Sequence, residues 1–109
     1  MKSHALAVFH RQPENFNCAQ AVLDAWQTKM GRQLAPVAEF KAFGGGRAPG
    51  GECGALYAAC FVAPDRAGDL RAAFEKRSGS ILCRTLKADL RVPCTECVGL
   101  AADLLSEMA

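Results

Sequence analysis

Residues 43–60 read FGGGRAPGGECGALYAAC, six glycines and two cysteines in eighteen residues. Glycine weakens the interior of a helix or strand, so no ordinary core element crosses the first half of this run. Residues 44–51 read as turns, where glycine lets the backbone take positive φ and come close to another group. Their eight residues reach the upper limit of a plain helix-to-helix connection, about 2–8 residues. From residue 52 the spacing turns helical, and a helix over 52–62 is expected, halted by Pro64. The loop therefore delivers Cys53 to the N-terminus of a helix.

Working outward, every other segment also reads as helix or turn. Val and Ile are few, Ala and Leu many, and apolar residues recur at helical spacing. The spacing predicts a short helix over 3–11, stopped by Pro13. A second follows Asn17, which can cap it with Gln20 reaching back as in a capping box. Its apolar face is Ala21, Val22, Ala25 and Trp26, and Gly31 ends it. Pro36 opens a third, PVAEFKAF, that Gly44 stops. A fifth is expected over about 69–76, and a short sixth, SILCRTLKADL, capped by Ser80. Pro93 opens the last, with Val98, Ala101, Leu104 and Leu105 on its core face. The expectation is all-α: one small domain, residues 1–109, of about five to seven short helices around a Gly-rich loop.

The 109 residues carry a formal net charge of +2, and the basic residues are scattered without aromatic interleaving. That excludes a phosphate-tracking nucleic-acid groove. No run approaches the roughly 18 apolar residues of a membrane span. The N-terminal MKSHALAVFHRQPEN is interrupted before a secretory core can form, so a cytoplasmic location is expected. In that compartment six cysteines point to chemistry or a metal rather than to a structural disulfide framework.

Those cysteines are Cys18, Cys53, Cys60, Cys83, Cys94 and Cys97. On this reading Cys18, Cys53 and Cys94 each sit in the first turn of a helix. Unpaired N–H groups and the partial positive charge there favour thiolate over thiol, so a pKa below the usual value of about 8.5 is expected. Cys83 follows Ser80 by three residues, with Arg84 beside it. Cys94 and Cys97 form a CxxC on one side of the last helix, a spacing shared by dithiols, half-zinc sites and chance. There is no βαβ context for a thioredoxin, no His after the pair for haem attachment, and no second pair for a zinc ribbon. Cys97 is read as a partly buried bystander. Cys60, in AACFVA, is read as core. His4 and His10 lie far in sequence from the cysteines and read as surface residues. Glu52 reads as an exposed first-turn carboxylate, with a proton relay to Cys53 as the alternative. Arg47 and Arg84 read as solvated charges, or as groups that hold an anion or tune a thiolate.

NCAQAVL, then FGGG and GGECGAL, then CRTL, then a late cysteine before VGLAADLL, resembles the C_GCAxxG_C_C family, whose members are described as redox-active. The likeness runs from about Asn17 to Leu105 and keeps the motif order. The resemblance implies that the four signature cysteines are Cys18, Cys53, Cys83 and Cys94. The last glycine of the family's CGAxxG is Ala58 here. Cys60 and Cys97 fall outside the signature. A similar segment in split-Soret cytochromes is linked to an iron–sulfur centre, and this chain lacks the haem motif.

Three functions follow as expectations. In the first, Cys18, Cys53, Cys83 and Cys94 hold a 2Fe–2S or 4Fe–4S cluster for electron transfer or redox sensing, with loop N–H groups near Gly45 and Gly46 facing the sulfurs. In the second, Cys53 attacks as a thiolate, and Cys18, Cys83 or Cys94 resolves the bond. Either implies a redox partner protein. In the third, zinc or buried thiols hold together a non-catalytic helical module, with a homodimer as one route to stability.

Overall fold

The computed structural model describes residues 1–108. The described residues contain five α-helices: α1 (Lys2–Val8), α2 (Cys18–Met30), α3 (Gly54–Val62), α4 (Ala67–Ser78) and α5 (Cys94–Met108). They form no strand, only two isolated bridges, Phe9 with Phe16 and Glu52 with Leu82. The all-α expectation holds.

Helix α2 organises the packing. It lies against α1, α3 and α5, and α4 closes the far side on α3 and α5. Its small apolar residues Ala19, Ala21, Val22, Leu23 and Ala25 are buried, which lets neighbouring helices approach closely. The capping box is present: Asn17 Oδ1 accepts from the Gln20 N–H at 2.9 Å, and Gln20 Oε1 accepts from the Asn17 N–H at 3.0 Å. Gly31 ends the helix at φ 67°.

Three elements differ from expectation, one of them the sixth helix expected over residues 80–90, which is a π-helical segment over Thr85–Asp89. The first helix stops at Val8 rather than Arg11, because Phe9 turns extended to pair with Phe16, and the His10 N–H bonds the Phe16 carbonyl at 2.8 Å. The segment after Pro36 is a 3-10 helix, Val37–Phe43, rather than an α-helix. Its carbonyls are taken from outside. Gln20 Nε2 donates to Val37, while Asn17 Nδ2 and Arg47 Nη2 both donate to Lys41 at 3.0 and 2.8 Å. The side chains that cap α2 thus also pin the segment that leads into the glycine loop.

Between α4 and α5 the chain curls. Ser80 Oγ accepts from the Leu82 N–H at 3.0 Å, and residues Thr85–Asp89 form a wide π turn. Such turns often mark functional sites. The Val92 N–H returns to the Leu86 carbonyl at 2.7 Å before Pro93 opens α5.

Candidate functional site: a pocket of five cysteines

The helix starts converge. Cys18 is the first residue of α2, Cys53 the N-cap of α3, and Cys94 the first residue of α5. Cys83 joins them through the backbone: Glu52 pairs with Leu82, and the Cys53 N–H donates to the Ile81 carbonyl at 2.8 Å. The bridge is antiparallel, so Cys53 lies opposite Ile81, and Cys83 reaches the same cavity as the chain turns after Leu82. Cys18, Cys53, Cys83, Cys94 and Cys97 line one small, narrow cavity of about 10 Å³, together with Leu86, Lys87 and Val92. All four cysteines singled out by the signature are there. So is Cys97, which sequence reasoning had set aside. The CxxC spacing was the available signal, since it puts both sulfurs on one side of α5. Lys87, four residues after Cys83, is the other member that was missed.

The glycine loop is built around these sulfurs. Gly45 and Gly46 take φ 62° and 81°, a region that strains other residues. The Gly45 N–H faces the Cys18 sulfur. A Cβ on Gly46 would touch Cys83 Sγ at 3.7 Å. Gly54 is tightly constrained, because a Cβ there would sit 2.5 Å from the Phe43 carbonyl oxygen and 2.8 Å from Cys18 Sγ. The CG of GGECGAL thus places one cysteine and makes room for another. Arg47 donates to the Gly44 and Lys41 carbonyls and closes the loop, so it is a structural tie.

The electrostatics reverse one expectation. Burial pushes the Cys18 thiol up to about 11, and the Cys53 and Cys94 sulfurs add to this, outweighing the Gly45 and Ala55 N–H groups. Cys53 is raised well above its ordinary value, first by its hydrogen bond with the Cys97 thiol and then by burial. The Ala55 and Leu56 N–H dipoles oppose this without forming a full cap bond. Cys83 is raised by burial, with Lys87 pulling the other way. A helix N-terminus lowers a thiol pKa when water also reaches the sulfur; in a dry pocket desolvation wins. Cys53 is only 3% exposed, so it is not the low-pKa thiol that the sequence suggested.

The remaining residues fall outside the pocket. Cys60 is buried near the other end of α3, where its Sγ lies 3.8 Å from the Ala67 carbonyl. Glu52 is buried and held by Arg71 of α4 at 2.7 and 3.4 Å, not exposed as expected. His4 pairs with Asp24 at 2.8 Å. Arg84 is exposed.

A set of thiols suits soft metals and iron–sulfur clusters. As arranged here the sulfurs do not fit one. The cavity has room for about one water-sized atom, and among the described residues no three Cys, His, Asp or Glu side chains converge as metal ligands do. A cluster would require the pocket to spread.

Fold and site together define a small helical protein built around a buried group of thiols. The family model described as "Putative redox-active protein (C_GCAxxG_C_C)" matches residues 16–108, and the chain belongs to that family. No curated protein and no solved structure matches the chain. No described helix is long and apolar enough to cross a membrane.

Proposed function

We propose that the protein acts as a single helical redox domain whose electrons are held by the cysteine pocket as a thiol/disulfide couple. The observation that carries this reading is the gathering of Cys18, Cys53, Cys83, Cys94 and Cys97 around one cavity, with Cys97 the neighbour that most perturbs the Cys53 thiol. Two thiols in contact can lose two electrons and two protons to form one bond, and an incoming disulfide is reduced to two thiols in exchange. The apolar wall of Leu86 and Val92 keeps water from the couple. The raised Cys18, Cys53 and Cys83 thiols stay protonated at neutral pH, and burial restricts exchange to partners that reach the pocket's rim.

A second reading has its own support. Peptide N–H groups of Gly45, Ala55 and Leu56 face the Cys18 and Cys53 sulfurs. Such groups stabilise the charge of a thiolate-bound iron–sulfur centre on Cys18, Cys53, Cys83 and Cys94.

Anaerobic purification followed by a visible spectrum, metal analysis and thiol titration separates the two. The dithiol reading expects no stoichiometric metal, and reversible loss of two free thiols on mild oxidation. Iron with absorbance between about 400 and 450 nm would replace it with the cluster reading. Zinc without reversible oxidation would support the structural module.

A further inference from the structure

We infer that Cys94 is the thiol through which the pocket meets its substrate, and that the hollow beside it takes a low-molecular-weight disulfide bearing carboxylates. This inference rests on the thiol/disulfide reading above. Four of the five pocket cysteines are buried, and only Cys94 is partly open. Cys94 lines two spaces at once. One is the narrow cavity with the other sulfurs. The other is an open hollow of about 350 Å³ formed with Lys87, Arg91, Val92 and Pro93. The hollow is lined by two cations and no carboxylate, so an anionic disulfide is drawn to it and a cationic one repelled. Lys87 lines both spaces beside Cys94, where its ammonium offsets the charge of the attacking thiolate. Arg91 is held at the hollow in a left-handed conformation, φ 55°, between the Leu90 N–H bond to Thr85 and the Val92 N–H bond to Leu86.

The exchange balances in two steps. The Cys94 sulfur, its proton released to solvent, attacks one sulfur of the ligand disulfide. The ligand S–S bond breaks, one half leaves and takes up a proton, and the other remains joined to Cys94. Cys97, one helical turn on and inside the pocket, then gives up its proton and attacks the Cys94 sulfur. The second ligand thiol is released with a proton. Cys94 and Cys97 have lost two electrons, and one ligand disulfide has become two thiols.

The test uses the full chain, reduced, with three disulfides of differing charge: glutathione disulfide (anionic), hydroxyethyl disulfide (neutral) and cystamine (cationic). Rates are scaled to each reagent's rate with a free thiol. In Cys97→Ser, mass spectrometry is expected to find the trapped ligand on Cys94. In the wild-type sequence the anionic reagent is expected to react fastest and the cationic slowest. The combined Lys87→Gln and Arg91→Gln variant is expected to shrink that ratio about tenfold, and Cys60→Ser to leave it unchanged. An adduct on another cysteine, or a ratio indifferent to Lys87 and Arg91, overturns the inference. Diamide, an oxidant that needs no docking, separates the two levels. If diamide bridges pocket thiols but no disulfide reacts at Cys94, the gateway is wrong and the redox reading stands. If diamide bridges none, the redox reading fails.

Discussion

The two ends of α3 carry the same residue in opposite settings. Cys53 at the start and Cys60 near the end are both buried, and both thiols are raised above their ordinary value. Cys53 faces four other cysteines across a shared cavity. Cys60 faces the Ala67 carbonyl, with the Glu52–Arg71 pair near it. Burial and protonation are thus common to both, and neighbours alone distinguish them. What makes a cysteine a redox candidate in this fold is a second sulfur in reach, delivered by the glycine loop and the Glu52–Leu82 bridge.

The largest expected contrast is in oxidation. Cys97→Ser should abolish the reversible loss of two thiols, and Cys60→Ser should preserve it, as read by thiol titration after mild oxidation. Equal behaviour of the two variants would erase the distinction between the ends of α3. Next comes Gly54→Val, which drives a side chain into the Phe43 carbonyl and Cys18 Sγ. It should cost about 3 kcal/mol in urea unfolding. Arg71→Met, at the Cys60 end, leaves the Glu52 carboxylate buried without its partner. Because Arg71 is itself 43% exposed, the cost should be about 2 kcal/mol, below that of a fully buried pair.

The raised thiols also set a pH dependence. Cys18 and Cys60 move from 9.0 to about 11. Between those values the unfolded chain releases protons that the folded chain keeps, so stability is level below pH 9 and falls as pH rises towards 11. A loss on the order of 2 kcal/mol per thiol across that window is expected, measurable by urea titrations at a series of pH values. The smallest effect is at Gly68 in the first turn of α4, where an added Cβ meets nothing within 4 Å. Gly68→Ala should gain about 0.5–1 kcal/mol, the opposite sign to Gly54→Val.

Local signals were readable before any coordinates. The Asn17–Gln20 capping box, the stop at Gly31 and the start after Pro93 need only neighbouring residues, and they put Cys18 and Cys94 at helix starts. The role of Gly54 was half visible: the glycine-rich run implied a close approach, but the approaching atoms come from residues 18 and 43. Thiol pKa directions were misread because a helix N-terminus is a local feature, whereas the depth of the pocket is set by Leu86 and Val92 arriving from a distant curl. Glu52 was misplaced for the same reason, its partner Arg71 lying nineteen residues away on another helix. The 3-10 form of Val37–Phe43 depends on carbonyls taken by Asn17, Gln20 and Arg47, which no periodicity reports.

The most direct measurement is a disulfide map of the intact chain, made by peptide mass spectrometry after mild oxidation of the metal-free, reduced protein. The account expects one reversible bridge drawn from Cys18, Cys53, Cys83, Cys94 and Cys97, with Cys97 as one end and Cys60 left as a free thiol. A bridge that includes Cys60, or thiols that form no reversible bond at all, would contradict it.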